Sequence, residues 1–235
     1  MNILKKYLKD GYCRTAAEKL LHAERGTVLL TTGFYVAGYA ETDGPLGTVA
    51  VAEALNHLGF HSVVVTDKYC KGFFELKQLD VEYVDIAADE QVYEDILDKY
   101  NPVYMISIER CGENAEHEYA NMRGVSITSE TAAIDHLFEL APEKHIPTIG
   151  VGDGGNEIGM GNVKEIISEK LELNPCVVPV DDLIIATTSN WGAYALTAWL
   201  QKLSGEEVLF TFAEAEPYLA ATLEIGSVDG VLKEK

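Results

Sequence analysis

The chain has 235 residues, of which 47% are apolar, 9% aromatic and 24% charged. That composition excludes disorder and fibre and predicts a globular chain of one large domain or at most two small ones. Eighteen Lys and Arg face 38 Asp and Glu, a net charge of −20, and such a surface repels phosphate backbones and anionic headgroups, so neither nucleic acid nor a membrane is an expected partner.

Leu4, Leu8, Ala16, Leu20 and Leu21 recur at loosely helical spacing broken by Gly11, which predicts a helical cover over residues 1–25. After Gly26 the run TVLLTTG is apolar without alternation, as in a strand buried on both faces of a parallel sheet. A glycine-rich segment (33–47), the helical pattern TVAVAEALNHLGF and the strand SVVVTD complete a βαβ unit. The alternation continues with a helix near 70–79, a strand at 81–86, a helix at 89–99 and a strand at 103–109. A polar stretch without periodicity, 111–130, precedes a helix near 131–140 and a strand at 147–152. The remaining elements are a helix from about 155 to 171, a strand at 182–188 and helices at 190–203 and 214–225. Strands alternating with helices predict an α/β fold, a doubly wound, mainly parallel sheet flanked by helices in a Rossmann-like three-layer sandwich, with residues 1–235 forming a single domain.

The cysteines Cys13, Cys70, Cys111 and Cys176 are scattered, with no CxxC, so free thiols in a reducing compartment are expected. The start MNILKKYLKD has no apolar h-region and no apolar run reaches the roughly 20 residues of a membrane span. The cytoplasm is the expected location.

Ligands of such sheets bind beyond the carboxyl ends of the strands, and four strand-end loops are unusual. In the first, Glu41-Thr42-Asp43-Gly44-Pro45-Leu46-Gly47 leads into a helix. Its amides and the Thr48 hydroxyl could hold an anion, whereas Glu41 and Asp43 call for a cation, an ammonium or a metal. A plain Gly/Pro turn with a capping acid is the alternative. Asp67 lies about 20 residues on, as in a dinucleotide site, but GxGxxG is missing from this loop. The second loop, 109–124, holds Arg110 and Arg123, two of only four arginines. A guanidinium fork there suits a ligand carboxylate, or an internal ion pair with Glu109 or Glu113.

The third loop, Gly150-Val151-Gly152-Asp153-Gly154-Gly155-Asn156-Glu157-Ile158-Gly159-Met160-Gly161-Asn162, contains GxGxxG formally, at 150, 152 and 155. Asp153 would face the phosphates and no acid ends the next strand, which argues against a pyrophosphate. Oxygens from Asp153, Asn156 and Glu157 instead suit an ammonium, a proton transfer or a hard cation. Asp153 as helix cap, with Glu157 complementing the dipole, is the structural alternative. The fourth loop, Thr187-Thr188-Ser189-Asn190-Trp191-Gly192, offers a polar wall or a helix cap and no nucleophile elbow. Arginines for carboxylates beside acids for a positive group describe a small amino acid, especially a dicarboxylic one.

The segments TGFYVAGYAETDGPLG, ERCG followed by YANMRG, and TIGVGDGGNEIGMGNV resemble the signature segments of the D-glutamate cyclase C-terminal-like family, from about residue 27 to 205. The resemblance implies an α/β domain connected with conversion of D-glutamate to 5-oxo-D-proline and water, a carbon–oxygen lyase reaction. In the larger animal proteins of the family a hydro-lyase-like domain precedes this one, so the implied partner is such a domain or a second copy of this chain.

Set against that chemistry, Asp153 and Glu157 are the expected acid/base pair. Arg110 and Arg123 are the expected carboxylate anchors. Asn121, Gly44, Gly47, Thr48, Gly154, Gly155, Asn156 and Asn190 are expected to contact substrate. No cofactor is assigned from the sequence, although Mg²⁺ or Mn²⁺ on Asp43, Glu109, Asp153 and Glu157 could polarise the γ-carboxyl. Two rival readings stand beside this one: a binding or regulatory subunit of a separate hydro-lyase, and a metal-dependent enzyme acting on another amino acid or a nucleotide.

Overall fold

The computed structural model describes residues 3–171 and 173–230. Its elements follow from the strand period. Along β1 (Thr27–Thr31) Val28 and Leu30 point to one face while Leu29 points to the other. A short hairpin, β2 (Tyr35–Val36) and β3 (Tyr39–Ala40), comes next. With α1 (Tyr12–His22) preceding β1, the rest runs α2 (Pro45–His57), β4 (His61–Thr66), β5 (Asp80–Tyr83), α3 (Gln91–Tyr100), β6 (Tyr104–Ile108), α4 (His136–Lys144), β7 (Thr148–Gly152), α5 (Lys164–Leu171), β8 (Asp182–Ile185), α6 (Ser189–Ser204) and α7 (Phe212–Ile225).

Six of the strands form one sheet in the order β5-β4-β1-β6-β7-β8, and every pairing is parallel. The chain starts in the middle, winds outward to β5, then crosses back to β6, so the switch point lies between β1 and β6. Two apolar layers cover the faces. Helices α1, α2 and α6 bury Leu20, Val51 and Leu196 with Val28, Ile106 and Val151 on one side. Helices α3, α4 and α5 bury Ile96, Phe138 and Ile167 with Leu29, Met105 and Leu183 on the other. The expected doubly wound, three-layer α/β sandwich is therefore what forms. Among the described residues no helix is long and apolar enough to cross a membrane, and all four cysteines are free.

Local signals set the ends of several elements. Pro45 opens α2, where its missing N–H costs nothing, and Thr211 with Glu214 forms a capping box at the start of α7. Three expectations change. The segment 70–79 makes two 3₁₀ turns, Lys68–Cys70 and Glu75–Lys77, separated by Gly72 at φ 92°. The helix expected from 155 begins at Lys164, after a glycine-rich loop and a 3₁₀ turn. The predicted single long connection after β1 contains the β2/β3 hairpin.

Candidate functional site

Four loops meet beyond the carboxyl ends of β1, β6, β7 and β8. The first and fourth lock together by capping each other's helices. The Asp43 carboxylate accepts the N–H groups of Ser189 (2.9 Å) and Asn190 (2.7 Å), the open amides at the start of α6. In return the Asn190 side-chain oxygen accepts the N–H groups of Gly44 (3.0 Å) and Gly47 (2.7 Å) at the start of α2, and its Nδ2 donates to the Thr42 carbonyl (3.0 Å). Glycine is required at both positions. Gly44 has φ 99°, and a Cβ on Gly47 would stand 2.7 Å from that of Ala193 where α2 meets α6.

The second loop begins with a backbone reversal. Glu109 is buried and left-handed at φ 51°, a conformation that costs a non-glycine residue about 1–3 kcal/mol and clusters at functional sites. The reversal sends Glu109 and Arg110 to different sides. Glu109 enters the site, where its carboxyl receives the hydroxyl of the buried Ser189. Arg110 turns into the core with no exposed surface. It donates to Asp67 Oδ2 (2.6 Å) and to the carbonyls of Gly33 (2.9 Å) and Ala132 (2.6 Å).

In the third loop the buried Glu157 folds back on the turn, accepting the N–H groups of Asp153 (3.2 Å), Gly154 (2.5 Å) and Gly155 (2.7 Å). The turn thus carries its own anion on the amides that a phosphate would use. Asp153, by contrast, faces open space beside Asp43 and Glu109. Oxygens of these three carboxyls lie within 4.8 Å of one another.

That trio floors a cavity of about 500 Å³. Five acids line it, Glu41, Asp43, Glu109, Asp153 and Asp229, against one arginine, Arg123. Crowded carboxyls cannot all ionise together. Burial, reinforced by Glu157 and Asp43, pushes Asp153 up to about 8. Burial and the neighbouring acids Asp43, Asp153, Glu157 and Asp229 push Glu41 up to about 9. Glu109 is driven well above the carboxylate range by complete burial, then by Glu157 and Asp153. Burial also raises Asp43, against the opposing pull of its three N–H partners. Such groups titrate as a set that holds shared protons at neutral pH. A wider depression of about 1060 Å³ lies between the C-terminal ends of α1, α2 and α6; its ionisable groups are of mixed sign, with Lys19, Arg25, His22 and His57 beside Glu18 and Glu206.

Arg123 rides on the tip of a small turn of the second loop. Ala120 pairs with Ser126, the Asn121 carboxamide accepts the N–H groups of Arg123 (2.9 Å) and Val125 (3.2 Å), and Gly124 supplies a positive φ. The root is fixed: Asn156 Nδ2 donates to the Ala120 carbonyl (2.7 Å) and Tyr119 donates to Asp135 (2.6 Å). Among the described residues no carboxylate lies within ion-pair distance of the exposed Arg123 guanidinium.

Of the expected site residues, Asp43, Glu109, Asp153, Asn121, Arg123, Asn156 and Asn190 line the cavity. Several expectations are corrected. Arg110 is no substrate anchor, because Asp67 and two carbonyls enclose it. Glu157 is engaged by three amides and stands outside the trio of potential metal ligands. The amides of Gly44 and Gly47 are closed by Asn190 and are not an anion site, and Thr48 Oγ1 donates to the Gly44 carbonyl. Gly154 and Gly155 serve Glu157, and the Asn190 carboxamide caps α2. Glu41, Asp229 and Ser189 were not among the expected site residues. Glu41 was visible in sequence as an acid needing a cation, while Asp229 sits far from any glycine-rich loop.

The D-glutamate cyclase-like, C-terminal model matches residues 1–235. The chain belongs to that family. Human mitochondrial D-glutamate cyclase is 33% identical to it over an alignment of 231 positions that covers 87% of this chain and 36% of the human protein. The family member described here therefore spans about a third of that relative. Among solved structures, a short-chain dehydrogenase from Rhodopseudomonas palustris is 11% identical, with TM-score 0.42 over 80% of this chain and 97% of that one. A UDP-glucose 4-epimerase from Brucella ovis in complex with NAD is 14% identical, with TM-score 0.39 over 63% of this chain and 49% of that one. Likeness of that degree says nothing of ligand or reaction. The segments that carry the resemblance, 32–47, 109–112 with 119–124, and 148–163, in contrast, fall on the loops that build the cavity.

Proposed function

We propose that this chain is an enzyme of the D-glutamate cyclase type, converting D-glutamate to 5-oxo-D-proline and water. The observation that carries the reading is the cavity's charge pattern: one arginine, without an ion-pair partner among the described residues, set against a floor of carboxyls in a member of this family. That pattern complements an amino acid with an additional carboxylate. Arg123 receives a substrate carboxylate in a bidentate contact, and the acids receive the ammonium.

Cyclisation joins the nitrogen to the γ-carboxyl carbon and breaks one of that carbon's C–O bonds. The nitrogen gives up two protons and the departing oxygen gains two, so the carboxyl cluster ends with the protonation it had at the start. Asp153, protonated at neutral pH, donates to the oxygen that leaves; its neighbour Asp43 accepts from the nitrogen. The acid/base role expected of Glu157 passes to Asp43, because Asp43 lines the cavity within the carboxyl trio and Glu157 lies behind the turn, outside both. Asp43, Glu109 and Asp153 also suit a hard divalent cation such as Mg²⁺ or Mn²⁺, which when bound would polarise the γ-carboxyl.

Incubating the purified chain with D- or L-glutamate, with and without Mg²⁺ or Mn²⁺, and separating 5-oxoproline enantiomers tests the reading. The 5-oxo-D-proline product should form from D-glutamate alone; failure to form it under every condition sinks catalysis by this chain. A second reading, a ligand-binding subunit of a separate hydro-lyase, is favoured by the engagement of Arg110 and Glu157 within the fold, which leaves the cavity with binding contacts and fewer of the expected catalytic groups. It predicts a raised melting temperature with glutamate or 5-oxoproline and no turnover.

A further inference from the structure

The segment after α7 returns to the cavity mouth. Gly226 ends the helix at φ 138°, and the buried Ser227 Oγ donates to the Ala40 carbonyl, 187 residues away in sequence. The Val228 N–H donates to the same carbonyl (3.1 Å), and its own carbonyl accepts the Thr42 N–H (2.9 Å). Val228 thereby makes a parallel bridge with Glu41, and the next two residues, Asp229 and Gly230, form part of the cavity wall. The fit around Glu41 is close, since a methyl group on Gly230 would overlap the Glu41 carboxylate.

A segment tied by backbone hydrogen bonds to the loop that presents Glu41, and shaped to that carboxyl, fixes the position of one acid inside the cavity, a group that an incoming ammonium draws into its charged form. We infer that this C-terminal strap builds the ammonium subsite of the amino-acid ligand, with Glu41 as the residue that meets the ammonium and Asp229 beside it. The inference rests on the amino-acid reading and adds to it the group that separates an amino acid from the corresponding plain diacid. Asp43 and Asp153 are assigned to proton transfer on the cavity floor and Glu109 is engaged by Ser189, whereas Glu41 is presented at the cavity wall by the strap. Arg123 supplies the opposite charge, so the ligand is read at both ends.

Calorimetric titration of the full chain with D-glutamate and with glutarate, which keeps both carboxylates and lacks the ammonium, tests this. The wild type should bind D-glutamate more tightly than glutarate. Glu41→Gln should weaken D-glutamate by at least about tenfold, the loss expected for one charged hydrogen bond, and leave glutarate unchanged or tighter. Gly230→Ala, which displaces the carboxylate without removing it, should shift the two ligands in the same selective way. Equal losses for both ligands in Glu41→Gln, or no loss for either, overturn the inference while leaving the amino-acid reading in place. A wild type that binds and turns over D-glutamate no better than glutarate overturns both. Thermal unfolding of each variant checks that the fold is retained.

Discussion

Arg110 and Arg123 lie in one loop and have opposite fates. Arg110 has no exposed surface and a complete ion pair with Asp67 at 2.6 Å; Arg123 is exposed on a turn tip above a cavity full of acids. The divider is the left-handed backbone at Glu109. It sends the next residue into the core and leaves the chain to climb back over the site. The same side chain is thus a structural tie in one place and, under the proposed function, a ligand contact in the other, and burial separates the two.

The largest effect should come from the buried member. Arg110→Ala leaves Asp67 charged, desolvated and unpartnered, and breaking such a pair costs about 3–5 kcal/mol. Urea unfolding measures it. A loss under about 1 kcal/mol, the size of an ordinary surface change, would break the contrast between the two arginines. Arg110→Lys keeps the charge but loses the fork that reaches Asp67 and two carbonyls, and should fall between.

Next comes the floor that Arg123 faces. Asp153→Asn should lower kcat for D-glutamate at least about a hundredfold by removing a proton donor; near-normal turnover would remove Asp153 from the reaction. Stability should move the other way. The folded state holds the Asp153 proton up to about pH 8, whereas an unfolded carboxyl releases it near its ordinary value of 3.8. Between those limits the native state binds more protons, so stability falls as pH rises. Melting temperatures should decline from about pH 5 to pH 8 in the wild type and less steeply in Asp153→Asn. If a divalent cation occupies the trio, adding Mn²⁺ at pH 8 should raise the wild-type melting temperature and leave Asp153→Asn unmoved.

The contrast between the arginines also marks the limit of what the sequence discloses. The strands were legible because runs such as TVLLT and TIGVG are buried on both faces, and the four site loops because glycine and acids gather at strand ends. The sign of φ at Glu109 has no sequence signature, so Arg110 and Arg123 could not be told apart. Glycine count pointed to residues 44–47 as an anion cradle, while a side chain from a helix 143 residues away, Asn190, fills it. A helix pattern from 155 gave way because Glu157 needs the loop's amides. The strap pairs residues 40–42 with 227–228, a contact that no local pattern reports.

Arg123→Ala should raise KM for D-glutamate by at least about tenfold, with kcat/KM falling in step, and leave unfolding free energy within about 0.5 kcal/mol of the wild type, as expected of an exposed residue. Equal loss of stability and affinity would make it a second Arg110.

The smallest effect is in the salt dependence. At neutral pH glutamate carries one net negative charge and approaches a protein of charge −20, so salt screens a repulsion and should help encounter. The exposed Arg123 contact is an attraction, which the same salt weakens. In the wild type the two oppose each other, and kcat/KM should change little between low and physiological ionic strength. Arg123→Ala retains only the repulsion, so its kcat/KM should rise with salt, by about twofold as the Debye length shortens. A variant whose salt dependence matches the wild type would mean that the local attraction never worked against the overall field, and that the carboxylate is held by something other than Arg123.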